Sequence, residues 1–414
     1  MIRHLATACC LMFGLASAAA QAPLVLPMAA PASAQLLQPR SVGEAKPANL
    51  PAPLIAPSAP SSNASNGTAV DTRPLLLDSR DIALGGAFRA TPVWQTWKGR
   101  FVTDHGRVVD TGNSMISHSE GQGYGMLLAV AAGDRVVFDR IWSWTRANLM
   151  VRDDELFAWR WEPNQRPAVS DMNNASDGDL LIAWALTEAA EYWGDVSYRV
   201  MARRIAVEVG RKVVLYKTKR GSLLLPAIAG FSAQDRTDGP VVNLSYWVFP
   251  AFERLPIVAP EIDWSGISQS GLDLLKASRF GSTALPTDWI SASDAGSRPA
   301  DGFAARFGYN AIRIPLYLAW AGLGERDHYT PFINWSRARR GALPVVEVAS
   351  GRNAETYGEA GYSSIAALLS CVTDQAALPG DLRNLHPGEN YYPSTLHMLV
   401  LLAAQMRYPS CFRG

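Results

Sequence analysis

Apolar side chains recur at three- and four-residue intervals along most of the chain, the spacing of one face of an α-helix. Trp94, Trp97 and Phe101 stand at i, i+3 and i+7 and predict a helix over 91–101. Small and apolar residues fill 121–132, and Val137, Phe138, Ile141, Trp142 and Trp144 mark a helix over 135–150. Further helical periods cover 177–193, 196–216, 244–252, 261–279, 310–321, 328–338, 362–369 and 394–406. Strand-like runs are limited to 157–161 and 223–225. The pattern predicts an all-α chain with minor strand content. No fixed-period repeat is visible, which argues against a solenoid. About eleven helices in one domain can cover their apolar faces by pairing into a closed ring. An (α/α)6 barrel, a toroid of inner and outer helices, is the natural candidate, although the periodicity itself points only to an all-α chain.

The first 74 residues break this pattern. Arg3 and His4 precede an apolar run over 5–15, and Ala20 and Ala22 supply an A-x-A end. This reads as a signal peptide over 1–22, so a periplasmic or secreted location is expected. The apolar run is too short to cross a membrane, so no transmembrane anchor is expected after cleavage. Pro, Ala, Ser and Asn dominate 23–74, as in a flexible linker. The catalytic domain is then expected over 75–414. Cys9 and Cys10 fall in the leader, leaving Cys371 and Cys411. An oxidising compartment permits a disulfide between them, and two free thiols are equally compatible with the sequence. Basic and acidic residues nearly cancel, 38 against 37, so no nucleic-acid partner is implied. No His/Cys cluster suggests a metal, and no cofactor is expected.

Three short segments concentrate polar chemistry. The first runs from Asp110 to Met126 and centres on Glu120, with Gly121, Gly123 and Gly125 after it. Taken alone, Glu120 could be a first-turn acid complementing a helix dipole. The glycines suggest instead that a ligand could approach closely, with Tyr124 and the Trp94/Trp97 helix as apolar walls. His118 reads as a packing or hydrogen-bonding residue. The second segment is Asn173 to Leu186. Ser176 and Asp179 resemble a capping box, which gives Asp179 a structural role. Asp177 is left without such an explanation. The third is Phe307 to Tyr317, where Arg313 enters an apolar helix and needs a carboxylate partner.

Taken together, the segments resemble known motifs. His118-Ser119-Glu120-Gly121-Gln122-Gly123-Tyr124-Gly125-Met126 resembles the acid-bearing motif of glycoside hydrolase family 8. Ala175-Ser176-Asp177-Gly178-Asp179-Leu180-Leu181-Ile182-Ala183-Trp184-Ala185-Leu186 resembles that family's signature. Gly308-Tyr309-Asn310-Ala311-Ile312-Arg313-Ile314-Pro315-Leu316 resembles its third motif. The resemblance implies an (α/α)6 barrel and inverting cleavage of β-1,4-glucan without a cofactor. It implies Glu120 as proton donor and Asp177 as the second catalytic acid or a sugar contact. Within the family the chain is most similar to exported glucanases that accompany bacterial cellulose synthase. A β-glucan chain and the cellulose synthase complex are the partners so implied. Asn310, Arg313, Tyr124, Trp94, Tyr246 and Trp247 are the candidate substrate-binding residues, the aromatic rings as stacking platforms for the apolar faces of sugars. Trp97, Trp159, Trp161 and Trp289 complete the pool of platforms.

One departure matters. Many relatives carry Asp where this chain has Asn310, and that Asp activates the attacking water. Asn cannot take up a proton at neutral pH. Either Asp177 or another group supplies the base, or Asn310 only positions the water. Chitosan, mixed-linkage glucan and xylan are rival substrates. Asp235 and Asp238 are the acids that could meet the ammonium groups of chitosan. A glucan-binding escort without turnover and a polysaccharide lyase are the rival functions.

Overall fold

The structure is a computed structural model that describes residues 83–88, 92–337 and 343–413. The expected leader and linker lie outside the described residues. Eleven α-helices are present among the described residues: α1 (Pro92–Phe101), α2 (Ser119–Ala131), α3 (Arg135–Asn148), α4 (Ser176–Trp193), α5 (Val196–Lys212), α6 (Phe249–Arg254), α7 (Trp264–Ala277), α8 (Arg313–Ala321), α9 (Arg326–Arg337), α10 (Ser363–Asp374) and α11 (Tyr391–Arg407). Each corresponds to a predicted period, with two revisions. The period over 196–216 stops at Lys212, because the chain turns at the β-branched pair Val213-Val214 into a strand. The period over 244–252 is split into a 3-10 turn over Leu244–Tyr246 and the short α6, which begins with Pro250 in its first turn.

Burial separates two classes of helix. α2, α4, α6, α8 and α11 are buried on nearly every side. α2 packs on α4, α4 on α6, α6 on α8, α8 on α11, and α11 returns to α2, which closes a ring. Outside it, α3 lies on α2, α5 on α4, α7 on α6 and α1 on α11, while α10 bridges α8 and α11 and carries α9. These outer helices bury one face; α3 does so through Val137, Phe138, Ile141, Trp142 and Thr145. The ring is filled by side chains rather than hollow at its base, where Trp184 of α4 meets Trp320 of α8. Among the described residues, no helix is long and apolar enough to cross a membrane.

Strands form small antiparallel sheets in the loops. β1 (Ser117–His118) pairs with β2 (Arg160–Trp161), and β3 (Val214–Thr218) with β4 (Gly221–Leu224). β5 (Val241–Val242), β6 (Ile290–Ser293) and β7 (Gly296–Pro299) form one three-stranded sheet, ordered in sequence. β8 (Arg306–Phe307), β9 (Pro344–Glu347) and β10 (Arg352–Thr356) form another, with β9 central. Only β2 and β4 overlap the strand-like runs of the sequence; the rest are too short to show a two-residue period. Cys371 in α10 and Cys411 near the C-terminus are bonded to each other.

Candidate active site

The five inner helices run the same way, so their N-terminal ends meet at one mouth of the ring. α2 starts there because His118 caps it: its Nδ1 accepts from the Gly121 amide at 2.9 Å, while Nε2 faces Asp110 at 3.5 Å. The cap sets Glu120 in the first turn. α4 starts differently from the expected capping box. Ala175 is the cap, and the Ser176 hydroxyl instead donates to the Leu225 carbonyl at 2.8 Å. Asp179 accepts from the Phe157 amide at 3.0 Å and from Asn174 Nδ2 at 2.8 Å. It braces a neighbouring loop rather than its own helix end. Asp177, two residues nearer the mouth, accepts from Gly178 N at 2.8 Å and points its other oxygen inward.

Arg313, in the first turn of α8, joins the three motifs. Its Nη1 stands 2.8 Å from Glu120 Oε1 and 3.0 Å from Asp177 Oδ2. Nη2 donates to Ser245 Oγ at 2.8 Å and to Asn310 Oδ1 at 3.1 Å. The ring of Tyr246 lies 5.7 Å from the guanidinium carbon. A cation at a helix N-terminus opposes the helix dipole, so two carboxylates on neighbouring helices offset its burial. Burial and the nearby Glu120 charge push Asp177 up to about 6, against the pull of Arg313.

Glu120 is not enclosed. Its side chain is 20% exposed, against 1% for Asp177 and 2% for Arg313. The oxygen facing Arg313, Oε1, is buried and lies off the line of the N–H bonds, so that contact is ionic without being a hydrogen bond. Ser119 Oγ, Asn243 Nδ2 and the Tyr391 hydroxyl are also buried at this mouth without partners. Such groups are rare in native interiors and here gather at the end of the ring that carries Glu120. Among the described residues, no group of His, Cys, Asp and Glu is placed to hold a metal ion.

The sequence model for glycosyl hydrolases of family 8 matches residues 83–406. The chain belongs to glycoside hydrolase family 8. A probable endoglucanase of Novacetimonas hansenii is 36% identical over 314 residues, spanning 75% of this chain and 89% of the relative. An endo-β-1,4-glucanase from an Achatina fulica gut metagenomic library shares 36% identity and a TM-score of 0.70, over 77% of this chain and 98% of the other. The endo-β-1,4-glucanase CMCax of Acetobacter xylinum shares 33% identity and a TM-score of 0.70, over 78% and 99%. The family match and the structural neighbours make the architecture the (α/α)6 barrel that the motifs implied, with eleven α-helices among the described residues, and the protein is a glycoside hydrolase.

Within this family 8 barrel, the residues singled out from sequence divide. Glu120, Asp177, Asn310, Arg313 and Tyr246 converge at the mouth. Tyr124 lies just beneath, fully buried, its hydroxyl against that of Tyr317 and 3.5 Å from Arg313 Nη1. Trp94 and Trp247 are not groove walls. Trp94 is 1% exposed and donates to Asp134 at 3.1 Å; Trp247 is 0% exposed and donates to the Ile267 carbonyl at 2.9 Å. Both offer the hydrogen bond a buried indole requires and no face to a sugar. Trp97 is likewise core, bonded to Thr395. Trp159 and Trp161 keep part of their surface, and Trp289 stacks between Phe231 and Phe303.

The glycines need the same correction. A Cβ at Gly123 would come within 2.6 Å of the Leu181 side chain on α4, and one at Gly125 within 2.7 Å of Val108. Gly123 lets α2 approach α4, and Gly125 lets it approach the loop at Val108 and Ile141 of α3, rather than admitting a ligand. Asp235 is held by its own turn through Ser232 and Gly230, and Asp238 by Arg236 and the Asp301 amide. Neither is a free acid awaiting an ammonium group. Sequence reasoning missed Ser245, Tyr391, Tyr392 and Asp288, because only the closed ring brings these helix ends and loops beside Arg313 and Asn310.

Proposed function

We propose that the protein cleaves β-1,4-glucan within the chain, with Glu120 as the proton donor to the glycosidic oxygen. The observation that carries this reading is the pairing of Glu120 and Asp177 with one guanidinium at the open mouth of the ring. The endoglucanase names of the relatives support the substrate. With Oε1 turned to Arg313, the proton is delivered from Oε2, for which no described residue is in hydrogen-bond geometry. Asp177 stays ionised and stabilises the positive charge that develops at the anomeric carbon. Arg313 fixes both carboxylates, and Tyr246 lines the sugar beside them. Because Asp177 titrates near 6, the rate should fall as pH drops through that value. The leader-like N-terminus supports a periplasmic or secreted enzyme. Trimming nascent cellulose beside the cellulose synthase complex is the setting we propose.

The test is release of reducing ends from carboxymethylcellulose, chitosan and xylan by the mature protein. Carboxymethylcellulose should be preferred, with viscosity falling faster than reducing ends appear. Preference for chitosan or xylan would move the substrate. Binding without release from any of them would favour the escort reading that Asn310 permits.

A further inference from the structure

An inverting displacement needs a proton acceptor across the sugar from the acid, with the two carboxyl groups roughly 6.5–9.5 Å apart so that a water fits. Asn310 cannot serve. Asp177 is badly placed. Its Oδ2 and Glu120 Oε1 touch the same nitrogen at 3.0 and 2.8 Å, so those oxygens stand no further apart than the two distances end to end. Its other oxygen is occupied by the Gly178 amide. The remaining carboxylates near the mouth are mostly engaged. Asp179 is spent on Phe157 and Asn174, Asp110 faces His118 and Gly112, and Glu359 takes both nitrogens of Asn390.

Asp288 differs. It lies just before β6, and its Oδ1 accepts from Gly308 N at 3.1 Å and Ala311 N at 2.8 Å, the turn that carries Asn310. Its Oδ2 lies over Gly308, where a Cβ would come within 2.6 Å, so only glycine fits beneath it. The Gly308 and Ala311 amides both go to Oδ1, and the residue keeps part of its surface. Asn310, fixed through its Oδ1 on Arg313, retains its amide nitrogen as a donor.

We propose that Asp288 is the general base, acting on a water held by the Asn310 side-chain amide. Asp288 Oδ2 takes the proton from that water, whose oxygen forms the new bond to the anomeric carbon. The bond to the leaving oxygen breaks with its electron pair, and Glu120 supplies that oxygen with a proton. Burial pushes Asp288 up to about 6, against the pull of the Ala311, Gly308 and Asn310 amides and Arg313, so it is ionised yet basic at neutral pH. The proposal rests on the hydrolase reading above.

Asp288→Asn in the full chain separates this role from mere support of the turn, because an Asn carbonyl can still accept from both amides. The expected result is a fall in kcat on cellohexaose of roughly a hundred- to ten-thousand-fold, with KM little changed. Azide should restore turnover to Asp288→Asn and yield an α-cellooligosaccharyl azide. Asn310→Asp added to Asp288→Asn should restore hydrolysis by water. Retention of about a tenth or more of the wild-type rate by Asp288→Asn overturns the proposal. So does a loss that neither azide nor Asn310→Asp repairs. Glu120→Gln run alongside keeps the two readings apart. A dead Glu120→Gln with a fully active Asp288→Asn removes only the base assignment, whereas a wild type without hydrolysis removes both.

Discussion

The two ends of the inner helices use the same residue types to opposite effect. At the C-terminal end, cations and acids pair one to one. Arg254, ending α6, meets Glu188 of α4, which also takes the Trp184 indole at 3.0 Å and the Leu84 amide at 2.9 Å. Arg407, ending α11, meets Glu253, and the Tyr408 hydroxyl satisfies the Ala319 carbonyl of α8 at 2.7 Å. Arginines there agree with the helix dipoles. At the N-terminal end one arginine opposes its dipole, two acids share it, and Ser119 Oγ, Glu120 Oε1, Asn243 Nδ2 and the Tyr391 hydroxyl are buried without partners, against Arg407 Nε alone in the pairs just named. A satisfied network stabilises, whereas an unsatisfied one holds groups ready for something absent from the fold itself. The contrast separates support from chemistry without reference to motifs.

Substitutions can break that contrast. Glu188→Ala should cost about 3–5 kcal/mol, because Arg254 is left buried and unpaired. Urea unfolding should show the loss, while kcat of the folded fraction stays near wild type. A fall in kcat with unchanged stability would place function at both ends. Cys371→Ser, which breaks the bond to Cys411, should cost about 2–4 kcal/mol under oxidising conditions, and reductant should erase the difference from wild type.

The smallest effect sharpens the contrast through pH. Burial pushes Asp179 up to about 7 from 3.8, against its hydrogen bonds from Asn174 and Phe157. Its folded pKa exceeds its unfolded one, so its contribution is full below about 4 and is lost as pH rises through about 7. The stability of wild type relative to Asp179→Asn should therefore decline over that window. A flat difference across it would show that Asp179 titrates normally.

Much of this was legible in the sequence, for identifiable reasons. The helices were, since their apolar period is long; the ring's closure was only implied, since no local pattern encodes which helix meets which. Glu120, Asp177 and Arg313 stood out because each was a charge in a segment otherwise built for burial. Trp94 and Trp247 misled because an indole that stacks on a sugar and one that fills a core look alike until burial is known. The glycines misled similarly, since Gly123 serves a helix crossing rather than a ligand. Asp288 was invisible because it sits some twenty residues before the turn it braces, in a loop without periodicity.

The most direct measurement compares two leaving groups. A glycosidic bond to glucose needs a proton on its departing oxygen, whereas one to dinitrophenol does not. Glu120→Gln should cleave cellohexaose at least about a thousandfold more slowly than wild type. It should keep most of its activity on a dinitrophenyl β-cellobioside, with unchanged melting. Equal losses on both substrates, or no loss on cellohexaose, would contradict Glu120 as the proton donor.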